Sequence, residues 1–353
     1  MKIFFALFLI LVASCKPEVQ TQTSGLKLLG YTTLPFDSKL DELPLGGFSG
    51  MISLDTKTYM AIIDDRSELG PARMVKLNID FENNELKVKP VSTVILKENN
   101  QPYKLNTIDP EAIVLLGNDY AITSEGSYRG DLRSPPFINV YNQNGVFQRS
   151  IEFNRDRYIP ESTGEMTKGI RPNLGFESLS LSPSGQYLFT VNEAALRQDS
   201  SEDYYDQNLV RLSKIDLKTN KTEEFAIKLD NIFNDKDNGQ NGISDILAIS
   251  NEEVLFLERA WISSIKKQVV KIFKVKLDSK ALVTNIEKLT AETATLEKTL
   301  VLDFSELDQK PDNLEILCFG PMINENQTLI VASDNNFSKH QKNQFYLFEI
   351  LSL

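Results

Sequence analysis

The sequence predicts an all-β chain, a β-propeller of five four-stranded blades, and three observations lead there. A hairpin with one layout recurs five times; a second pair of strand-like runs follows the copies; and the two chain ends each carry a strand pattern with no partner nearby.

The hairpins are FSGMISLDTKTYMAIIDD from Phe48, PEAIVLLGNDYAITSE from Pro110, NLGFESLSLSPSGQYLFTVNEA from Asn173, ISDILAISNEEVLFLE from Ile243 and LEILCFGPMINENQTLIVASD from Leu314. Each has a Ser or Glu, an alternating strand, a turn rich in Gly, Asn or Asp, a second apolar strand and a terminal acid. The leading residues Ser49, Glu111, Glu177, Ser244 and Glu315 are separated by 62, 66, 67 and 71 positions. The closing acids are Asp65, Glu125, Glu193, Glu258 and Asp334.

Outer strand pairs are legible in FINVYNQNGVFQRSIEF from Phe137, LVRLSKIDLKTNKTEEFAI from Leu209 and VVKIFKVKLDSKALVTNIEKL from Val269. The ring is expected to close by pairing KNQFYLFEIL from Lys342 with LKLLGYTTLP from Leu26, so that both chain ends complete one blade. The competing architectures are a large β-sandwich with a shared turn vocabulary, or a helix over 291–308 dividing the chain. No Pro/Gly linker or shift in composition marks a second domain.

Ahead of the propeller (26–353), residues 1–14, MKIFFALFLILVAS, pair a lysine with an apolar run too short to span a bilayer, the layout of a secretory signal. Val12-Ala13-Ser14-Cys15 resembles a bacterial lipobox, which makes Cys15 the expected site of lipidation and residues 15–25 a flexible tether. The expected location is the bacterial cell envelope, at the periplasmic face or outer membrane, with the lipid anchor as the only membrane contact and the protein a monomer.

Forty-nine acidic against 38 basic residues give a net charge of -11, which opposes binding to nucleic acid. With Cys15 lipidated, Cys318 is the one remaining thiol; its apolar setting reads as core. His340 is the one histidine, so histidine-rich zinc sites are excluded, and a Ser-His-Asp triad would need His340 as base.

In a propeller the first strand of each blade lines the axis, so the five leading residues converge there. Three carboxylates about 5 Å apart repel by roughly 3 kcal/mol per pair at an effective dielectric of 20. An all-oxygen set of Ser49, Glu111, Glu177, Ser244 and Glu315 suits one Ca2+ in the central channel, and magnesium less well because it demands an octahedron. The alternative is that these acids are solvated, or partly protonated.

The second strand returns the closing acids to the same end of the channel. Arginines follow them: Arg66, Arg129, Arg197 and Arg259, with Arg73, Arg133 and Arg171 in nearby loops. Guanidinium forks of Arg66, Arg73, Arg129, Arg197 and Arg259 could hold a phosphate, and Asp65, Glu125 or Glu193 could orient or deprotonate a water. Salt bridges among these same acids and arginines explain the pairing equally well.

Gly46-Gly47-Phe48-Ser49-Gly50, Asp64-Asp65-Arg66, Gly70-Pro71-Ala72-Arg73, Asp109-Pro110-Glu111-Ala112-Ile113, Asn173-Leu174-Gly175-Phe176-Glu177-Ser178-Leu179, Asn192-Glu193-Ala194-Ala195-Leu196 and Ser333-Asp334-Asn335-Asn336-Phe337-Ser338 together resemble the phytase-like family, described as "esterase-like activity of phytase". Phe48 and Ala112 depart from the pattern without removing an acid. The resemblance implies a secreted or periplasmic propeller that hydrolyses phosphoesters. The ring order Ser-Glu-Glu-Ser-Glu also resembles that of calcium-activated nucleotidases (apyrases), five-bladed propellers with one central Ca2+; this similarity covers the inner-strand ligands alone. The expected activity is therefore Ca2+-dependent hydrolysis of a phosphorylated small molecule at the channel mouth. The alternative is a non-catalytic, calcium-stabilised propeller that binds a ligand or an envelope protein.

Overall fold

The computed structural model describes residues 25–126, 135–161, 165–200, 208–232 and 239–353. These form five antiparallel four-stranded sheets, each running from an inner strand to an outer one. Blade 1 comprises Phe48–Ser53, Thr58–Ile63, Arg73–Glu82 and Glu85–Ile95; blade 2 comprises Pro110–Leu116, Asp119–Ser124, Phe137–Tyr141 and Phe147–Ser150. Blade 3 holds Ser180–Leu181, Tyr187–Val191, Leu209–Asp216 and Thr222–Lys228, and blade 4 holds Gly239–Ala248, Glu253–Ile262, Lys267–Lys276 and Lys298–Asp303. Blade 5 runs Asn313–Phe319, Thr328–Asp334 and Asn343–Ile350, and its outermost strand is Leu26–Leu34. As predicted, the ends of the chain close the ring, with Leu26 opposite Ile350 and Leu34 opposite Asn343. Closure joins the last blade to the start of the chain, so that the ring is held by strand pairing as well as by packing of blade on blade.

Local sequence explains the hairpins. Asn83 and Asn84, both at positive φ, turn the outer pair of blade 1, as a two-residue hairpin requires. Gly185, at φ +72°, closes the Ser182–Gly185 turn of blade 3 with its N–H on the Ser182 carbonyl.

The core is divided into five layers, one between each pair of adjacent blades. Phe48, Ala61 and Val75 of blade 1 meet Ile316, Ile330 and Phe345 of blade 5 in one layer, which also buries Cys318. The others join blades 1 and 2 through Ile62, Met74 and Ile113, blades 2 and 3 through Val114, Ile138 and Leu188, blades 3 and 4 through Phe189, Leu212 and Phe256, and blades 4 and 5 through Leu255, Leu329 and Tyr346. Inner strands are therefore apolar on both faces, which gives near-continuous hydrophobic runs where a one-sided sheet would alternate.

The fourth strand of blade 4 differs from the sequence expectation. It is Lys298–Asp303, whereas the reading from Val269 placed it directly after Lys276. Asp278 caps a 3-10 turn at Ser279–Ala281, accepting from the Lys280 N–H, and the chain crosses to the outer edge of blade 3. There the N–H groups of Val283 and Leu296 bond the carbonyls of Glu224 and Ala226. That excursion satisfies an edge strand which would otherwise be open. The stretch 291–308 contains a strand and a short 3-10 turn in place of a long helix, and no helix among the described residues is long and apolar enough to cross a membrane.

One irregularity repeats in every blade and prepares the site. Pairing of the two inner strands slips by one residue between Phe48 and Gly50, Pro110 and Ile113, Ile243 and Asp245, and Leu314 and Ile316. In blade 3 the slip falls between the Phe176–Asn192 bridge and the Ser180–Phe189 pair. Such a β-bulge re-aims the side chain it carries. Ser49, Glu111, Glu177, Ser244 and Glu315 all lie in these slipped segments.

Candidate functional site

Register also defines the closing positions. Phe48 pairs with Ile63, Pro110 with Ser124, Phe176 with Asn192, Ile243 with Glu258 and Leu314 with Ser333. The next residues out are Asp64, Glu125, Glu193, Arg259 and Asp334. Two sequence assignments are thereby corrected: Asp64 replaces Asp65, and Arg259 replaces Glu258. Because strand side chains alternate, an offset of one residue turns a side chain to the other face. Asp65 instead forms a buried ion pair with Arg73, 2.6 Å apart, and its other oxygen caps the N–H groups of Glu68 and Leu69. Glu258 pairs with Lys298 at 2.8 Å and accepts from the Asp230 N–H.

Two sets of three carboxylates converge on the side of the channel formed by blades 1 to 3. Asp64, Asp109 and Glu111 each bring one oxygen within 4.8 Å of the others, and so do Glu111, Glu125 and Glu177. Burial, followed by repulsion from Asp64 and Glu177, holds the Glu111 carboxyl well above its usual range. Burial and then Glu125 do the same for Glu177; burial and Asp109 do so for Asp64. Glu125 is pushed up to about 8, mainly by burial and then by Asp109. Asp109 is 2% exposed, and its Oδ1 is buried with no hydrogen-bond partner.

Arg259 of blade 4 compensates two of the remaining acids, Glu193 and Glu315. Arg259 donates from Nη1 to Glu315 at 2.8 Å and from Nη2 to Glu193 at 3.1 Å. Glu315 also accepts from Asn313 Nδ2 at 2.7 Å. Glu193 rises to about 7 because burial outweighs the attraction of Arg259. The two ring serines reach to the next blade: Ser49 donates to Glu111 at 2.7 Å, and Ser244 donates to the Leu314 carbonyl at 2.9 Å.

Local sequence makes room for this crowding. A Cβ at Gly242 would stand 2.5 Å from Glu193 Cγ and 2.8 Å from its carbonyl oxygen; at Gly175 it would stand 2.7 Å from Glu125 Cγ. The closing acid of one blade therefore lies against a glycine of the next. The Gly175 N–H also donates to Glu125 Oε1 at 2.7 Å.

The arginines separate into distinct roles. Arg66 faces the cavity, ion-paired with Asp109 at 2.6 Å and donating to Asn173 at 2.8 Å. Arg259 faces it from the opposite side. Arg73 does not line it: the side chain is buried and engaged by Asp65 and by the Pro44 and Pro71 carbonyls. Arg197 does not either; it opens a short 3-10 turn, and Glu161 is the charge that acts on it. Arg129, Arg133 and Cys15 lie outside the described residues.

The cavity over these groups encloses about 220 Å3 and is lined by Asp64, Arg66, Glu111, Asn173, Glu177, Glu193, Arg259 and Glu315 among others. Further along the same strands the lining becomes apolar, with Ile52, Val114, Leu181, Leu247 and Leu317. A second cleft of about 510 Å3 adjoins the mouth and shares Glu193, Gln240, Arg259 and Asn313 with it; exposed His340 stands on its wall.

The donor set tests well against a hard cation. It is all oxygen and crowded, it holds an orphaned carboxylate oxygen on Asp109, and burial and then mutual repulsion push the carboxyls of Asp64, Glu111, Glu125 and Glu177 upward. Those are the properties that suit Ca2+. Asp64 and Asp109 were not assigned as ligands from sequence. The tandem Asp64-Asp65 concealed the first, and Asp109 lies two positions before the ring residue Glu111, where period two returns a side chain to the same face.

The fold and the site define a class: a five-bladed propeller with an acid-lined channel mouth. The chain belongs to the phytase-like family, described as "esterase-like activity of phytase", whose model matches residues 43–337 and so spans every ring and closing position. No curated protein matches the sequence. Among solved structures, an endo-arabinase from Bacteroides thetaiotaomicron is similar at 10% identity, over 91% of this chain and 97% of that one, with a TM-score of 0.46. A periplasmic gluconolactonase from Pseudomonas aeruginosa matches at 10% identity over 81% and 80%, with a TM-score of 0.36. A protein of unknown function from Bacteroides thetaiotaomicron matches at 10% identity over 92% and 76%, with a TM-score of 0.37.

Proposed function

We propose that the chain is a Ca2+-binding phosphoester hydrolase that works at the channel mouth. The observation carrying this reading is the meeting, in one cavity, of a cluster of five carboxylates, which Arg66 neutralises only in part, with two guanidinium groups. Asp64, Asp109, Glu111, Glu125 and Glu177 would hold the cation, which extends the inner-ring set toward blades 1 to 3 and leaves Glu315 to Arg259. When bound, Ca2+ would neutralise the cluster and polarise a phosphoryl oxygen.

The chain's own residues do the rest. Arg66 and Arg259 each retain N–H donors beyond their present partners and would grip phosphate oxygens. Glu193, with a carboxyl near 7, is poised to take a proton from an attacking water at neutral pH. As the water oxygen bonds to phosphorus, the ester P–O bond breaks, and the leaving alkoxide takes up the proton that Glu193 received, which restores the carboxylate.

A second reading is a non-catalytic, calcium-stabilised propeller that binds a ligand or an envelope protein. It is favoured by the fact that both cavity arginines are already ion-paired with acids. In either case we propose lipidation at Cys15 and residence in the cell envelope, supported by the Val12-Ala13-Ser14-Cys15 pattern.

Assays against phytate, nucleoside diphosphates and p-nitrophenyl esters, with Ca2+ or with chelator, separate the two. Turnover that needs Ca2+ supports the hydrolase. Absence of turnover on all of them, together with chelator-sensitive melting, supports the binding protein.

A further inference from the structure

Blade 4 is built differently from the other blades at its mouth end. Its first three strands, Gly239–Ala248, Glu253–Ile262 and Lys267–Lys276, are ten residues each, whereas the inner pair of blade 1 has six and six, and that of blade 5 has seven and seven. The surplus projects beyond the closing position, since Gly242 pairs with Arg259 and the strands continue pairing to Gly239 and Ile262. The result is a wall beside the cavity.

One cross-strand row of that wall is Gln240, Trp261 and Gln268, with Gln240 opposite Trp261 and Trp261 opposite Gln268. Residues directly opposite in an antiparallel sheet share a face. Trp261 lies two positions from Arg259, so it shares that residue's face as well. All four line the cleft adjoining the mouth. Trp261 is 39% exposed, unusual for so large an apolar ring, and Gln268 Oε1 is buried with no hydrogen-bond partner.

We propose that this row is a subsite for a saccharide ring, and that the ester hydrolysed at the mouth is a pyranose carrying a single phosphate. The phosphate part rests on the hydrolase reading above; the ring part does not. An indole face offers an apolar platform to the C–H face of a pyranose. The flanking amides each donate and accept, as the ring hydroxyls do. The cleft, at about 510 Å3, is in the size range of small-molecule sites and far larger than a phosphate requires. Its lining also carries the carboxylates of Glu193 and Asp312 against the one guanidinium of Arg259, among the described residues. Those carboxylates repel any further phosphate on the ring while accepting neutral hydroxyls. A phosphate on Arg259 places the remainder of the ester over Trp261, two residues along the strand.

Trp261 is the chain's one tryptophan, so intrinsic emission reports this site directly. The test titrates the Ca2+-loaded protein with glucose 6-phosphate, glucose, phytate, adenosine monophosphate and inorganic phosphate. Glucose 6-phosphate is expected to shift the emission saturably, about tenfold more tightly than glucose, and inorganic phosphate to leave it unchanged. A tighter response to phytate or to the nucleotide overturns the proposal, as does no response to any sugar. Turnover supplies the second arm: Trp261→Ala should lower the preference for glucose 6-phosphate over glycerol 3-phosphate, as a ratio of KM values, by about tenfold, and Trp261→Phe should restore most of it. An unchanged ratio overturns the subsite even if both esters are cleaved, which leaves the hydrolase reading standing. Conversely, equal responses to glucose and glucose 6-phosphate with no cleavage of any ester support the ring subsite while removing the hydrolase.

Discussion

Arg259 bonds Glu193 at 3.1 Å from the position that an acid fills in the other four blades. That substitution divides the channel mouth in two. On one side a guanidinium built into the chain pairs with Glu193 and Glu315; on the other, Asp64, Asp109, Glu111, Glu125 and Glu177 face Arg66. Arg259→Met would leave two buried carboxylates without their partner, a change worth about 3 kcal/mol. Thermal melting should show that loss in chelator, and a smaller one when Ca2+ is present to compensate.

Stability should depend on pH in the direction set by protons retained in the folded chain. Glu125 near 8 and Glu193 near 7 stand above an ordinary value of 4.5, so the folded state holds protons that the unfolded state has released. Their contribution is complete below about pH 4.5 and is lost as pH rises through about 7 and 8. Chelator-treated protein is expected to melt at progressively lower temperature between pH 5 and pH 8.5, and Ca2+, which binds the deprotonated cluster, should flatten or reverse that slope. A flat profile in chelator would count against the crowded cluster.

Gly242→Ala tests the packing that seats Glu193. The added methyl meets backbone as well as side chain of Glu193, so rotation of one side chain does not relieve it. Overpacking of this kind destabilises by about 1–3 kcal/mol, which denaturant unfolding would read directly.

Away from the mouth, Arg211 is fully buried and forks onto Asp199 at 2.7 and 2.8 Å, with Glu224 at 3.6 Å. Tyr158 donates to that same Glu224, and Arg157 pairs with it at 3.0 Å. Arg211→Met should destabilise by about 3–5 kcal/mol by leaving Asp199 without its partner, and calcium affinity should be unchanged because the network touches none of the cluster carboxylates.

The architecture was legible in the sequence because its signals are local and repeated. Five hairpins of one layout, each with a polar turn between two apolar strands and an acid at its end, and two terminal strands with no other partner, specify the ring before any side chain is placed. The site was legible only to within one residue. Asp64-Asp65 and Glu258-Arg259 are tandem polar pairs at strand ends, and nothing local says which member follows the last paired residue. The bulge in each inner strand sets that, and a bulge is fixed by contacts with the neighbouring blade. Arg73 and Asp65 read as mouth residues for the same reason, whereas eight positions of chain return them to each other. The late fourth strand of blade 4 was hidden because its preceding loop owes its course to the edge of blade 3, far away in sequence. Gln240, Trp261 and Gln268 carry no motif; only strand pairing sets them in a row.

The proposed calcium site is formed by carboxylates of blades 1 to 3, and Glu111 is the one residue shared by both oxygen clusters. Isothermal titration of Ca2+ into chelator-treated protein should give one saturable site, and Glu111→Gln, which keeps the shape and removes the charge, should weaken it by at least about tenfold. Titration of the parent protein without heat, or a Glu111→Gln variant that binds as the parent does, would contradict it.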